Sequence, residues 1–256
     1  DGLKGTDDVL VPVDGDYIKQ AKIGRAVMDA DIIISLTHFK GHESTGFGGA
    51  IKNLGMGCGS RAGKMEMHSS GKPQVDQGRC VGCGECRRNC AHDAITIENH
   101  KAFIDHNKCV GCGRCIGVCP QDAIHAANDE SVDILNRKIA EYTKAVVDGR
   151  PCFHISLVMD VSPNCDCHAE NDAPIVPNVG MFASFDPVAL DQACADAVNA
   201  MPINPHSVLG DPDHDHGHAD GSDHFDFSHP DTNWRVCLEH AEHLGLGSRQ
   251  YELIKI

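Results

Sequence analysis

The chain has 256 residues, of which 41% are hydrophobic, enough to bury one full core and a small second unit. Its formal net charge of -15 argues against nucleic acid and anionic membranes as partners, because both bind clustered lysine and arginine. No run approaches the roughly 18 apolar residues that cross a bilayer. We therefore expect a soluble protein of two compact units.

The chain begins at Asp1, with no initiator methionine and no signal-like segment. We therefore expect a further segment upstream of these residues.

The first elements predicted are a hairpin, a helix and a buried strand. An apolar run at residues 9–13 ends at Asp14-Gly15, a dipeptide that favours a two-residue turn, and residues 17–18 would be the return strand. Apolar side chains in residues 23–30 fall on one helical face, and residues 32–36 predict a buried strand. A helix followed by a buried strand indicates an α/β layer.

A glycine-rich segment follows this strand, with seven glycines between Gly41 and Gly59. Loops at the carboxyl ends of strands are where open α/β sheets place ligands. Neither the P-loop nor the dinucleotide-binding glycine pattern is complete here. The segment is predicted to be either a ligand-binding loop or a glycine-rich turn packed under the module described next.

His38, Lys40 and His42 in this segment are the candidate catalytic residues. Imidazole titrates near neutral pH, and an ammonium group can stabilise a developing anion. The alternative is that these side chains only hydrogen-bond the loop backbone.

Eight of the fourteen cysteines repeat one spacing, Cys80-x2-Cys83-x2-Cys86-x3-Cys90 and Cys109-x2-Cys112-x2-Cys115-x3-Cys119-Pro120. This spacing is typical of cubane [4Fe-4S] clusters, which take three thiolates from one tight loop and a fourth from the other copy of the repeat. We assign one cluster to Cys80, Cys83, Cys86 and Cys119. We assign a second cluster to Cys90, Cys109, Cys112 and Cys115.

The repeat extends beyond the cysteines. At an offset of 29 residues, from Cys80 to Cys109, residues 81–82 match residues 110–111, and residues 93–95 match residues 122–124. The region resembles a bacterial-type ferredoxin with two [4Fe-4S] clusters, except that Ala91 replaces the family's proline. Paired C-x2-C motifs also bind zinc, but tetrahedral zinc has no use for a third cysteine at the same spacing.

Clusters of this kind and fourteen cysteines favour a reducing, anaerobic cytoplasm.

The remainder of the chain predicts alternating helices and strands. Helices are expected at residues 132–146, from Pro187 with Asp186 as its cap, and at 234–244. Strands are expected at residues 153–160 and 181–184. The intervening segment 205–231 is rich in histidine, aspartate and glycine and is predicted to be a loop, with metal binding by its residues 213–218 as the alternative.

Cys165 and Cys167 follow the second of these predicted strands closely. Thiols two residues apart in an extended chain point the same way, and Asp166 and His168 lie beside them. They are candidates for holding an additional transition metal or for acting as a redox pair. The alternative is a structural loop of reduced thiols.

Five stretches resemble the uncharacterised iron-sulfur centre proteins, a family defined by a domain of unknown function. These are residues 38–64, 160–167 (DVSPNCDC), 172–177, 180–189 (GMFASFDPVA) and 245–254. The resemblance covers nearly the whole chain and implies an α/β domain with an inserted two-cluster module. It also implies family members that are longer at the amino end.

The predicted fold class is therefore α/β. A discontinuous α/β domain comprises residues 1–72 and 129–256, and an α+β ferredoxin-like module of residues 73–128 interrupts it. Both ends of the module join the same domain, so we expect the clusters to be held against it.

The leading functional hypothesis is a reductase-type enzyme. Electrons from a redox partner protein, a ferredoxin or a reductase, would enter one cluster, pass to the second and reach a substrate or metal near residues 38–58. One alternative is a non-enzymatic electron-transfer subunit that uses the α/β domain for docking. The other is a metal or cofactor maturation factor that uses Cys165, Cys167 and the histidine-rich segment.

Overall fold

The computed structural model of the chain describes residues 1–3, 5–68, 72–109, 115, 118–126, 131–167, 171–210 and 223–256. Within these ranges the chain has a mixed α/β fold with several small sheets. The strands are β1 (Asp8–Pro12), β2 (Gln20–Gly24), β3 (Ile33–His38), β4 (Lys40–His42), β5 (Gly46–Gly48), β6 (Pro73–Val75), β7 (Ile95–Glu98), β8 (Lys101–Ile104), β9 (Ile124–Ala126), β10 (Cys152–Val158) and β11 (Gly180–Ser184). The helices are α1 (Arg25–Met28), α2 (Ala50–Cys58), α3 (Arg61–His68), α4 (Glu85–Asn89), α5 (Ser131–Val147), α6 (Pro187–Asn199), α7 (His224–Ser228) and α8 (Arg235–His243).

The main sheet has three strands in the order β11-β10-β3, with β3 parallel and β11 antiparallel to β10. Its inner face packs against α2 and α6 and buries the polar side chains of Thr37, His154 and Ser156. Its outer face exposes large apolar side chains, among them Leu36 and Met181. The prediction that β3 is a buried strand is therefore wrong for one of its two faces.

The main core is formed where α5 crosses α2 and α8. Ile139 and Tyr142 on α5 are fully buried. The two helices α2 and α5 approach so closely that a Cβ at Gly55 would lie 2.3 Å from the carbonyl oxygen of Ile139. The apolar spacing of residues 132–146 predicted this helix correctly, because each third or fourth side chain reaches the core.

A buried carboxylate attaches the amino-terminal hairpin to this core. Glu141 on α5 accepts hydrogen bonds from the backbone amides of Asp16, Tyr17 and Ile18 and from Nε2 of His240 on α8. Burial opposes ionisation of Glu141, but these hydrogen bonds outweigh it and lower the pKa of the carboxyl group. Asp16, Glu141 and His240 therefore lie together because these hydrogen bonds hold the loop between β1 and β2.

Three local predictions in the first sixty residues need correction. The hairpin β1–β2 is present, but its return strand is Gln20–Gly24 and not residues 17–18. Ile23 lies in that strand, so the predicted helix shortens to Arg25–Met28. The glycine-rich segment is not a simple loop, because it forms the β4–β5 hairpin and the helix α2.

Helix α2 forms despite its glycines because a distant side chain caps it. Oδ1 of Asp191, on α6, accepts the amide of Ala50 at 2.7 Å, and Oδ2 accepts the amide of Ile51 at 2.9 Å. Asp191 is fully buried, and burial raises the pKa of its carboxyl group from 3.8 to about 7. The cap also explains Gly49, where a Cβ would lie 2.3 Å from Oδ1 of Asp191.

Replacing Asp191 with alanine should lower the free energy of unfolding by about 2–4 kcal/mol, because it leaves two amides buried without acceptors. Denaturant unfolding measures this loss. Asp196→Ala, on the exposed side of the same helix, is the matched control and should change stability by less than about 1 kcal/mol. Equal losses in the two variants would contradict the capping role.

The same carboxyl group should make stability depend on pH. Its pKa is raised in the folded chain, so the unfolded chain loses this proton first as the pH rises. The stability that comes from this difference in pKa is therefore fully present below pH 3.8, the ordinary pKa of the group. It is lost as the pH rises to about 7, the pKa in the folded chain. Unfolding measured across this range should show a smaller pH dependence in Asp191→Ala than in the unaltered protein.

A second, separate hydrophobic cluster is formed by side chains from the sequence span Val75 to Ile124. The two strand pairs that frame it are β6–β9 and β7–β8. The two pairs are copies of each other at the 29-residue offset that separates Cys80 from Cys109. β6 shifted forward by this offset falls on β8, β9 shifted back by it falls on β7, and the two pairs have the same register. The predicted domain boundaries at residues 72 and 129 remain predictions, since residues 69–71 and 127–130 lie outside the described ranges.

No helix among the described residues is long and apolar enough to cross a membrane.

Candidate functional site

The first candidate site is a pocket beside the second hydrophobic cluster. Its empty space is about 310 Å³, including an open mouth. Four of its lining residues are cysteines, which are Cys80, Cys83, Cys86 and Cys119. The structure thus brings together three neighbouring cysteines and one that lies more than thirty residues away in sequence. The other lining side chains are mostly apolar.

The backbone of this pocket follows the cysteine spacing. Gly82 and Gly84 have φ angles of 65° and 79°, in the left-handed region that glycine adopts without strain. At Gly82 a Cβ would also lie 2.3 Å from the carbonyl oxygen of His100, in the turn between β7 and β8. This close approach fixes the cysteine loop against that hairpin.

Backbone amides point at the sulfur atoms. The amide of Ala102 donates to Sγ of Cys80 at 3.3 Å, and that of Ala123 donates to Sγ of Cys119 at 3.3 Å. In the other copy of the repeat, Ala94 donates to Sγ of Cys90 at 3.4 Å. Amide donors of this kind stabilise negatively charged sulfur.

The two copies of the repeat share further details. Asp93 and Asp122, which precede these donor alanines, both have positive φ angles, 49° and 44°. The amides of Cys80 and Cys109 each bond the carbonyl oxygen four residues earlier, on Asp76 and Asp105. The internal duplication therefore determines how the thiols are placed, and not only how they are spaced in sequence.

The second predicted set of ligands is only partly described. Cys90 and Cys109 are half-buried, and Cys115 is buried within the second hydrophobic cluster. Cys112 lies outside the described residues.

Four thiols that share one pocket are unfavourable as free thiolates. Burial raises the pKa of Cys86, and the nearby sulfur atoms of Cys83, Cys80 and Cys119 raise it further, against the opposing hydrogen bond from the amide of Arg87. A positively charged metal centre removes this repulsion. The donor set, the empty space and the aimed amides fit an iron-sulfur cluster.

The second candidate site joins His42, a candidate catalytic residue, to the predicted metal or redox pair Cys165 and Cys167. One ligand atom each of His42, Cys165 and Cys167 lies within 4.8 Å of the other two. His42 is on β4, and the two cysteines follow β10 by several residues. We call these three residues, together with Lys52, the dithiol site.

A glycine allows this meeting of chain segments. The amide of Gly41 donates to the carbonyl oxygen of Ser162 at 2.8 Å, which aligns β4 with the chain that leads to Cys165. A Cβ at Gly41 would lie 2.0 Å from the carbonyl oxygen of Pro163, so any larger residue would push the two segments apart.

Lys52 supplies the positive charge of the dithiol site. Its Nζ lies 3.2 Å from Sγ of Cys165 and 3.9 Å from Sγ of Cys167. The pKa of Cys167 is raised, first by burial and then by the neighbouring Cys165 thiol, and the charge of Lys52 offsets only part of that rise. Lys52 could not be singled out from the sequence, because the helix α2, which directs this side chain toward the thiols, was not predicted.

The other two candidate catalytic residues lie against Asp166. Nδ1 of His38 is 2.9 Å from Oδ2 of Asp166, and Nζ of Lys40 is 3.6 Å from the same oxygen. Nζ of Lys40 also donates to the carbonyl oxygen of His38 at 2.8 Å. Burial opposes ionisation of Asp166, but the His38 hydrogen bond and the Lys40 charge outweigh it and lower its pKa.

The other cysteines and histidines of interest lie away from these two sites or outside the residues that the structure describes. Cys58 is at the end of α2, where its thiol contacts the carbonyl oxygen of Asn53. Cys194 and Cys237 are buried in the core. His168 and the residues 213–218 lie outside the described ranges.

Comparison with known proteins gives one family. A family model described as "Domain of unknown function (DUF362)" matches residues 1–196, a span that contains both candidate sites. A comparison with curated proteins found no match.

Proposed function

The chain belongs to the DUF362 family, and we propose that it is an iron-sulfur redox protein that holds two [4Fe-4S] clusters. The clusters would pass electrons to a site in the α/β part of the chain. The reaction at that site would be a reduction. The protein would act as a reductase that takes electrons from a partner protein such as a ferredoxin.

The observation that carries this proposal is the four-cysteine pocket. Cys119 lies with Cys80, Cys83 and Cys86, the combination that the C-x2-C-x2-C-x3-C spacing assigns to one cubane. The cysteines would ligate iron, and the cluster would supply one-electron transfer.

The chain's own residues set the conditions for that chemistry. The amides of Ala102 and Ala123 donate to the ligand sulfurs of Cys80 and Cys119, and such hydrogen bonds raise the reduction potential of a cluster. The apolar lining limits access of water on the inner side. Cys83 is exposed, so this edge of the pocket is open to an external electron donor.

The destination that we propose is the dithiol site and its neighbours. His42 and Lys40 are buried, and Lys40 carries a charge that can stabilise an anion formed nearby. The meeting of the candidate catalytic residues with Cys165 and Cys167 supports this choice, because no other group of described residues unites both sets.

Two other functions remain as alternatives. A non-enzymatic electron-transfer subunit would use the clusters without a reaction in the α/β part. A metal or cofactor maturation factor is favoured by one observation, the three donor atoms of His42, Cys165 and Cys167 within 4.8 Å of one another. Thiolate and imidazole ligands suit transition metals.

Reduction of the clusters followed by reoxidation tests the proposal. The anaerobic protein is reduced with dithionite, and candidate substrates are then added while the cluster absorbance is recorded. His42→Ala and Lys40→Ala should reduce normally and keep their iron, yet reoxidise at least about tenfold more slowly, since they lack only contacts made during the reaction. His206→Ala, an exposed histidine, is the matched control.

Reoxidation of the His42 and Lys40 variants at the rate of the unaltered protein would remove these residues from the reaction. That result would leave the electron-transfer subunit as the better account.

A further inference from the structure

We propose that Cys165 and Cys167 form a reversible dithiol–disulfide couple that exchanges with an external disulfide through Cys167. The inference rests on the proposed function only for the source of its electrons, which are those of the two clusters. It gives the reductase a substrate class, a disulfide.

The position of Lys52 disfavours a bound metal and offsets part of the rise that burial causes in the pKa of Cys167. Its ammonium group lies 3.2 Å from Sγ of Cys165 and within 3.9 Å of Sγ of Cys167. A positive charge at this distance stabilises a thiolate, which is the reactive form of cysteine. The same charge repels a metal cation that would occupy the space between the two sulfurs.

The hydrogen bonds of His42 favour the same conclusion. Its Nδ1 accepts the amides of Ser44 at 2.9 Å and Thr45 at 3.2 Å, so the neutral ring carries its proton on Nε2. Nε2 is the nitrogen that faces Cys167, at 3.9 Å from Sγ, and it also lies 3.5 Å from Oε1 of Glu43. A protonated Nε2 is directed toward a sulfur as a donor, whereas a metal ligand must present a lone pair there.

The two cysteines differ in access. Cys165 is only 3% exposed, whereas Cys167 is exposed. The sulfur that meets an external disulfide is therefore that of Cys167. Cys165, buried beside Lys52, is placed to attack Cys167 in the second step.

The exchange has two steps. The Cys167 thiolate attacks one sulfur of the external disulfide, and the other sulfur leaves as a thiolate. The Cys165 thiolate then attacks Sγ of Cys167, which forms the Cys165–Cys167 disulfide and releases the second external thiolate. One external disulfide is reduced to two thiols, which take up the two protons that Cys165 and Cys167 lose.

Restoring the dithiol takes two electrons and two protons. The predicted clusters are one-electron carriers, and two of them match this requirement. The pairing of two clusters with a two-electron couple is the reason that we connect the dithiol site with the proposed function.

Redox equilibration of the thiols tests the couple without any assay of turnover. The full anaerobic protein is equilibrated in glutathione buffers of stepped composition, quenched with acid and alkylated, and the peptide that contains residues 165–167 is quantified by mass spectrometry. We expect it to change between two alkylated thiols and none, with a single midpoint.

Lys52→Met should shift this equilibrium toward the disulfide by about tenfold, equivalent to about 30 mV, because the reduced thiolate form loses its stabilising charge. Lys144→Met is the matched control, because Nζ of Lys144 donates its hydrogen bond to the carbonyl oxygen of Leu244 and not to a thiol. The control should leave the midpoint unchanged.

Two results would overturn the inference. One is failure of the peptide to form a disulfide at any buffer composition. The other is one zinc or other transition metal ion per chain that Cys165→Ser removes. Both readouts are independent of iron, so a chain without iron but with a working couple would reject the proposed function and leave the couple standing.

Discussion

Replacing Cys119 with alanine should halve the iron content of the anaerobically purified protein, from about eight to about four atoms per chain. Cys119 lines the pocket of Cys80, Cys83 and Cys86, so the variant lacks the fourth ligand of that cluster. The second ligand set, Cys90, Cys109, Cys112 and Cys115, keeps all its thiols. Iron analysis with electron paramagnetic resonance of the reduced protein measures the loss.

The spectra identify which cluster is lost. Cys119→Ala should give the same remaining signal as Cys83→Ala, and a different one from Cys109→Ala. Cys152→Ala is the control, because Cys152 lies on β10 outside both predicted ligand sets and should keep all the iron. A match between Cys119→Ala and Cys109→Ala would mean that the ligands are not exchanged between the repeats.

Replacing Gly82 with alanine should also abolish the first cluster. The added Cβ would lie 2.3 Å from the carbonyl oxygen of His100, and the φ angle of 65° adds about 1–2 kcal/mol of strain. The cysteine loop must therefore move away from the β7–β8 hairpin, and the thiols lose their arrangement. We expect about half of the iron to be lost, together with a lower melting temperature.

Gly84→Ala separates the two causes. Gly84 has a similar φ angle of 79°, but no atom lies within 4 Å of an added Cβ. This variant should bear only the backbone strain and keep both clusters. Equal iron loss in Gly82→Ala and Gly84→Ala would show that close packing against His100 is unimportant.

The sequence predicted those helices that are determined by residues close to one another in the chain. The apolar spacing in residues 132–146 gave α5, and Asp186 followed by Pro187 gave the start of α6, where Asp186 accepts the amides of Val188 and Ala189. The cysteine repeat predicts that Cys119 shares a cluster with the three thiols of the first copy. Cys119 lines the same pocket as those three cysteines.

Elements that depend on distant partners were missed. Helix α2 contains two glycines, and the carboxylate that caps it is Asp191, 141 and 140 residues away from the two amides it accepts. Lys52 could not be assigned a role without that helix. The only available signal was a charged Asp191 on a helix face that is otherwise apolar.

The dithiol site shows the same division. His42 and the pair Cys165 and Cys167 were each singled out from their residue types, but 125 residues separate His42 from Cys167. Their meeting depends on the parallel pairing of β3 with β10 and on the close approach at Gly41. Neither can be inferred from the spacing of residues within one segment.

The proposed function requires that this chain holds two [4Fe-4S] clusters. Iron and acid-labile sulfide, measured on the anaerobically purified protein, test it most directly. We expect about eight atoms of each per chain. Stoichiometric zinc with no iron or sulfide would contradict it.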